Sequence, residues 1–600
     1  MKTKEENLAL FNDVICTDRT GNNPAGFNFS DNSKSKFKAS KEIIKETIQE
    51  KHGFVYVSFG KDSSCVLHLA LMAMRELDAE GVEYKKAFFL TSNTLMESPV
   101  MNAYVFEEVA KLNAYIKEHG INAEHRMVFP TIYENNLVNA IGGRIMIPTA
   151  SMQASCSEDM KISPMNREKT KIAKELGYSR SEAQELFVGV LGTRFDESRQ
   201  REENMKSRGE KAHEIVKQYD KKNPSKWGYM ISPIAVWGVM DVYSHIAVAG
   251  RKNNEDRASY IESHPYPSFT DYKTMIEIYR DSNSSGSCGL LEGGSNSSGC
   301  GARHGCFVCL KSGVKDKSME AMLEKEEHQW MKPLNHFRNL VGVYSNDPSK
   351  RVYINRSINE DGNIIVAPNG YSPEMCEDML KWILTIQMNE LEHAEANNTS
   401  PRFWYIGEKE VIAIDFLWAK SGHHAPLEAS KIWNDVVNNN IKYEMPEMPV
   451  VAFTAISNFK SVEVPFADEE FMSSINGAFD MDAATAGYWG YSVNDQELRF
   501  SVDQEGAELF MGFELDNALK SYRNACPSST VHYLMRMGVV SIKKGGASKL
   551  DASLRMAQQI YRHDVRDILS NPVKLTDTLV SKMNRSAMVK KGAQLELLAI

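Results

Sequence analysis

Three groups of residues in this sequence have the types and spacing to do chemistry. The first is Ser58-Phe59-Gly60-Lys61-Asp62-Ser63-Ser64. It follows an apolar run, Phe54-Val55-Tyr56-Val57, and precedes a helical stripe of Val66, Leu67, Ala70, Leu71, Met74 and Leu77. A strand–loop–helix junction leaves backbone N–H groups pointing outward, and the helix dipole there favours an anion. Gly60 lets the backbone approach a phosphate, Lys61 adds a cation, and Ser58, Ser63 and Ser64 are small hydroxyl donors. Asp62 would order Mg2+ or the loop itself; the plain alternative is that it only caps the helix. The spacing from glycine to lysine is not that of a Walker loop.

The second group lies at two further strand ends. Thr91-Ser92-Asn93-Thr94-Leu95-Met96-Glu97-Ser98-Pro99 follows Ala87–Leu90, and Gly192-Thr193-Arg194-Phe195-Asp196-Glu197-Ser198-Arg199-Gln200-Arg201 follows Leu186–Leu191. Open α/β sheets bind ligands at such carboxyl ends. Arg194, Arg199 and Arg201 can clamp phosphate or sulfate, or pair locally with Glu202 and Glu203 on a solvated helix. The third group is Cys288, Cys300, Cys306 and Cys309, four of nine cysteines gathered in or beside a Ser/Gly/Asn-rich stretch. Four thiolates close a zinc site or hold a [4Fe–4S] cluster. Only Cys306–Cys309 is a C-x-x-C pair, and that asymmetry favours iron–sulfur, with zinc as the alternative.

The elements that must position these residues alternate. Strands are expected at 54–57, 87–90, 125–128 and 186–191, and helices at 41–49, 66–77 and 100–119, which argues for a parallel sheet covered on both faces. Residues 1–39 read as a polar arm. Further helices are expected at 372–387 and 426–438, and the last eighty residues read as mostly helical. The expected organisation is an arm at 1–39, an α/β domain at 40–250, a cysteine-rich segment at 251–330, an extension at 331–430 and a mostly helical region at 431–600.

Length alone, 600 residues, implies several domains. No stretch approaches the ~20 apolar residues of a membrane span, and the polar start gives no signal core, so a cytoplasmic protein without a membrane partner is expected. The overall charge of −9 does not advertise a nucleic-acid binder. The distribution is uneven, however: −12 over 461–519, +9 over 520–600 and +5 over 161–228. The basic regions suit a phosphate-rich ligand, or else pair with the acidic one inside the fold. Arg555, Arg562 and Arg566 are expected on one helix and near one of its faces, a stripe suited to tracking DNA phosphates or else paired with the acidic stretch.

Ser58–Ser64 resembles the PP-loop, SGGxDS, of the ATP pyrophosphatases, with Phe59 where the first glycine stands. Arg194, Glu197, Ser198 and Arg201 are similar in spacing to the G-x-R-x-x-E-S-x-x-R stretch of the PAPS-reductase family. Pro233–Trp237 with Asp241-Val242-Tyr243 resembles that family's P-x-x-x-W-x-x-x-D-V-[WY] block. The cysteine spacing, Tyr279-Arg280-Asp281 before it and Asp316-Lys317-Ser318-Met319 after it look like the block of the DndC/SspD proteins of bacterial DNA phosphorothioation. Ser92–Pro99 is similar to their S-D-T-L-V-E-x-P block, with Asn93 for the aspartate.

The resemblance implies a fold of the adenine nucleotide α-hydrolase type. It implies ATP held by Ser58, Gly60, Lys61, Asp62, Ser63, Ser64, Asn93, Arg194, Glu197, Ser198 and Arg201, with Asp62, Ser63, Arg194 and Arg201 in catalysis. It implies a [4Fe–4S] cluster on Cys288, Cys300, Cys306 and Cys309. The expected function is ATP cleavage to AMP and pyrophosphate, activating a DNA backbone phosphate for sulfur insertion. The partners would be DNA, a cysteine desulfurase as sulfur donor and other subunits of the modification complex. The alternatives are a PAPS/APS reductase-like enzyme, a tRNA-thiolating enzyme, or a non-catalytic nucleotide-sensing subunit of a defence complex.

Overall fold

A computed structural model describes residues 31–150, 152, 155–197, 199–219, 227–250, 266–282, 305–450, 456, 459–467, 492–494, 499–522 and 525–597. Its chain forms two units. The first takes Met1–Phe129, Met160–Gly305 and Lys317–Gln329; the second takes Pro130–Asp159, Cys306–Asp316 and Trp330–Ile600.

In the first unit the apolar aromatic run forms β1 (His52–Tyr56), the centre of a six-stranded sheet. With β2 (Ala87–Ser92), β3 (Ala123–Val128), β4 (Phe187–Val190), β5 (Val216–Tyr219) and β6 (Trp227–Ile231), the strand order is β3-β2-β1-β4-β6-β5. All neighbours are parallel except β5, which runs antiparallel to β6. The register sets Phe54 opposite Phe88 on one side and Gly189 on the other. Because β1 lies between β2 and β4, the connections diverge there, beyond the carboxyl ends of β1 and β4, where open α/β sheets form a ligand-binding crevice.

Helix α1 (Asp31–Glu50) precedes β1, α2 (Lys61–Glu80) follows it, and α3 (Pro99–Glu118) follows β2. Nearly every α2 residue from Ser63 to Met74 is buried, so α2 is a core helix between α1 and the later helix Val239–Ala249. Each fully buried leucine or valine contributes about 1.5–3 kcal/mol, which fixes where α2 begins and hence where the loop before it lies. The helix expected over 41–49 starts at Asp31, so 31–39 is helix, not irregular arm. Its first turns are anchored by Ser33 and Lys36, which donate to Asp241 at 2.7 and 2.8 Å.

The second unit is mainly helical. Lys332–Tyr344, Pro373–Ala396 and Glu408–Ser421 are its long central helices. β7 (Asn363–Val366) pairs antiparallel with β8 (Val462–Pro465), and β9 (Val493–Asn494), β10 (Phe500–Val502) and β11 (Val540–Lys543) form a small sheet. The shared helix expected for Arg555, Arg562 and Arg566 does not form. The helix Ala547–Arg562 stops there, Asp564 takes a left-handed φ of 49°, and Arg566 opens a separate 3-10 turn. No helix among the described residues is long and apolar enough to cross a membrane.

Candidate functional site

The loop between β1 and α2 is tied by its own serines. Ser58 N donates to Ser63 Oγ at 3.2 Å, Ser63 Oγ donates to Gly60 O at 3.1 Å, and Ser58 Oγ lies 3.0 Å from Ser63 Oγ. Gly60 is the N-cap, extended at φ −79° and ψ 165°, and supplies no side-chain cap. The first turn of α2 thus presents its N–H groups without a side-chain acceptor. Ser64 is 1% exposed, and its Oγ has no hydrogen-bond partner among the described residues.

Phe59, where the PP-loop has glycine, adopts φ 54°. A left-handed conformation costs a bulky residue ~1–2 kcal/mol. The ring is fully buried, near His125 and Phe269, and Tyr104 donates to its carbonyl at 3.2 Å. Burial of a ring offsets the backbone cost, so the loop conformation that glycine makes easy is held here by packing. His125, bonded to Thr91 Oγ1 at 2.9 Å, is pushed down to about 4 by its own burial and is neutral at pH 7.

The loop after β4 closes on the loop after β1. Arg194, 2% exposed, donates through Nε to Asp62 Oδ1 at 2.6 Å and through Nη1 to Trp237 O at 3.2 Å. Lys61 Nζ holds the other carboxylate oxygen at 2.8 Å. Asp62 is therefore bonded on both oxygens, while Nη2 of Arg194 has no hydrogen bond among the described residues. Gly192 makes the approach feasible: a Cβ there would stand 3.0 Å from Ser63 Cα and 3.1 Å from Asp62 C and O. Trp237, fully buried, donates to Ser40 Oγ at 2.9 Å, and Asp241 accepts from Gly238 N at 2.8 Å.

The structure therefore brings together Ser58, Gly60, Lys61, Asp62, Ser63 and Arg194. Asn93 sits at the carboxyl end of β2, with its amide engaged internally: Nδ2 donates to Asn102 Oδ1 at 2.7 Å, and Oδ1 accepts from Leu95 N at 2.8 Å. That arrangement shapes the loop rather than presenting a free amide. Glu197 and Arg201 pair with each other, one turn apart. Arg199 is exposed and pairs with Glu203 at 2.9 Å. Ser198 lies outside the described residues.

Of the four cysteines, Cys288 and Cys300 lie outside the described residues. Cys306 and Cys309 form a tight turn in the second unit, Cys309 N donating to Cys306 O at 3.0 Å, and both are partly exposed. The buried Arg338 clamps this turn. It donates to Cys309 O from Nε at 3.0 Å and Nη2 at 2.8 Å, to Gly313 O at 2.7 Å, and to Val314 O. Phe307 is buried against Tyr405, centroids 4.4 Å apart. Two accessible thiols on a braced C-x-x-C turn fit half of a four-thiolate site. Cys65, by contrast, is fully buried, its Sγ donating to Val242 O at 3.6 Å, and burial pushes its thiol well up.

Sequence reasoning missed the Asp62–Arg194 ion pair and the cluster of Asp281, Glu327 and His328, whose ligand atoms lie within 4.8 Å of one another. Burial pushes the Asp281 carboxyl up, but His328 and Arg280, at 3.7 and 3.2 Å, hold it below the usual range. The forty-five residues between Asp281 and Glu327 hid that meeting; no local pattern signals it. No family model matches this chain, and no curated protein matches it.

Proposed function

We propose that this chain is the ATP-using subunit of a DNA phosphorothioate-modification system. One observation carries the reading: the loops after β1 and β4 meet at the sheet's divergence point around an uncapped helix N-terminus, joined by Asp62–Arg194 and fitted by Gly192. That crevice is where an open α/β sheet takes a nucleotide. The ATP phosphates would accept from the first-turn N–H groups of α2, from the Ser63 hydroxyl and from Arg194 Nη2. Lys61 and Arg194 would spread the charge of the departing pyrophosphate, and Asp62 would hold both cations or release Lys61 to take Mg2+. A non-bridging oxygen of the DNA phosphate would attack the α-phosphorus as its bond to pyrophosphate breaks. When the persulfide of a cysteine desulfurase attacks the DNA phosphorus, AMP would leave far more easily than oxide, and a thiol reductant would then cleave the S–S bond, leaving the sulfur on phosphorus and closing a disulfide with the desulfurase cysteine. Cys306 and Cys309, with Cys288 and Cys300, would hold a [4Fe–4S] cluster, which when bound supplies electron transfer or a sulfur relay.

The test is pyrophosphate release from ATP, with and without DNA and a sulfur donor, in anaerobically purified protein. Asp62→Ala and Ser63→Ala are each expected to lower it by roughly 100-fold while the protein stays folded. If the parent protein leaves ATP intact under all these conditions, the non-catalytic nucleotide-sensing reading replaces this one. The double engagement of the Asp62 carboxylate is the observation that favours that second reading. Sulfur recovered in tRNA or as sulfite, rather than in DNA, would reassign the substrate.

A further inference from the structure

The second unit carries a concentration of positive charge that makes no ion pair among the described residues. A cavity of about 450 Å³ is lined by Arg144, Arg351 and Arg356. Each guanidinium is fixed by neutral oxygens. Arg144 Nη1 donates to Tyr133 O at 2.8 Å and Asn139 Oδ1 at 3.0 Å, and the group stacks 3.8 Å from the Tyr133 ring. Arg351 donates to Gly370 O at 3.0 Å, Ser345 O at 3.2 Å and Asn369 O at 2.5 Å. Arg356 donates to Arg144 O and Gly143 O, both at 2.6 Å.

Two more cations add to the field. Arg499 lies with its guanidinium 5.7 Å from the same Tyr133 ring. Lys420, partly buried, is pushed down to about 8 by burial and by Arg144, Arg499 and Arg356. Among the described residues none of these five makes an ion pair with a carboxylate; Asp159 acts on Arg144 only through its field. Arginines whose donors are oriented by carbonyls keep their full charge while losing their freedom to turn away. That is a preorganised anion site, and its unpaired charge is costly until an anion arrives.

The rest of the wall narrows the anion. Ile145, Met146, Met152 and Ile456 give it an apolar side, and Asn346 and Asn369 give it amides. A small inorganic anion uses neither, and an acidic peptide does not call for a flat apolar face. A phosphate on the arginines, with a planar base against methionine and isoleucine and its edge on the amides, uses all three, in a volume ordinary for small-molecule sites. We infer that this cavity binds a nucleoside phosphate, either free or as one nucleotide of a DNA strand. The inference stands on residues of the second unit alone and holds whether or not the first unit cleaves ATP.

The experiment uses the full chain and two probes, labelled AMP and a labelled single-stranded DNA 12-mer, by equilibrium binding. Arg144→Gln removes a lining charge. Met152→Trp fills the cavity and leaves every arginine in place. Ser63→Ala, in the loop of the first unit, separates nucleotide bound there. Affinity for at least one probe is expected to fall about tenfold or more in both cavity variants, the size of one lost charged hydrogen bond, and to fall by the same factor when each is combined with Ser63→Ala. Loss for AMP alone assigns a free nucleotide; loss for the 12-mer identifies a strand nucleotide. If Arg144→Gln fails to fold, Met152→Trp decides. Binding of both probes at parental strength in a folded Met152→Trp protein, binding of neither probe by the parent, or binding of pyrophosphate without either nucleotide probe would each overturn the assignment.

Discussion

Replacing Gly192 with alanine probes the approach of the two loops directly. The added methyl would lie 3.0 Å from Ser63 Cα and 3.1 Å from Asp62 C and O. Carbon atoms settle at about 3.5–4.0 Å, so the overlap is roughly 0.5 Å against three atoms at once. All three are backbone, in the first turn of a helix packed on nearly every side, and none can rotate aside. Overpacking of this kind costs ~1–3 kcal/mol. Relief by displacement would move Arg194 from Asp62 and open the 2.6 Å bond between them. Gly228, on β6 of the same sheet, is the control, since a Cβ there meets nothing within 4 Å. Denaturation midpoints and pyrophosphate release would be measured on both alanine variants. Gly192→Ala should be the less stable by about 1–3 kcal/mol and lose most of its turnover. Equal stability of the two, with full turnover in Gly192→Ala, would refute the close-approach argument.

Three further outcomes are expected. Phe59→Gly should be more stable than Phe59→Ala by about 1 kcal/mol, though both lose the buried ring; the reverse order by denaturation would show that the φ of 54° is not a cost. The buried His245, whose ring lies 3.0 Å from that of His68, is pushed down to about 3 by burial. Its contribution is complete above pH 6.5 and is lost as the pH falls toward 3, by about 3–5 kcal/mol; His245→Gln should flatten the loss of stability between pH 6.5 and 4, and an unchanged slope rules the linkage out. Cys306→Ser should strip iron from anaerobically prepared protein while Cys65→Ser retains it; zinc without iron in the parent, or equal iron loss in both variants, removes the cluster assignment.

β1, β2 and β4 were legible as short buried runs bounded by polar turns, and β3, mostly part-buried, contains the strand expected at 125–128. β5 and β6 were not, since Val216–Tyr219 alternates between part-buried and exposed over only four residues and Trp227–Ile231 is part-buried until its last residue, so neither makes a buried apolar run. The loop was legible as a phosphate site from serine, glycine and lysine at a strand–helix junction. What Asp62 does there was not, because its partner lies 132 residues away and only the order β1 beside β4 brings Arg194 to it. The arginine stripe failed for a local reason, a left-handed Asp564 that ends the helix before Arg566. The cavity of Arg144, Arg351 and Arg356 left no trace in local charge counts, since Arg144 lies 212 residues from Arg356 and the cations are held by carbonyls, which composition does not register.

The threading of the two units has a consequence for synthesis. The chain leaves the first unit at Phe129, returns at Met160, leaves again after Gly305 and returns for Lys317–Gln329. An emerging polypeptide can pair β1, β2 and β3 early, but β4, the strand that carries Arg194 to Asp62, begins at Phe187, after the excursion of Pro130–Asp159 and the further stretch from Met160. Closing a loop of that length costs entropy that only later contacts repay. The half-built sheet therefore waits on the ribosome with the open edge of β1 exposed, a template for wrong pairing. At ~5–20 residues per second, the interval between β3 and β4 lasts several seconds. Slowing translation through 130–186 should lengthen that exposure and lower the yield of soluble chain, whereas slowing it beyond 330 should not.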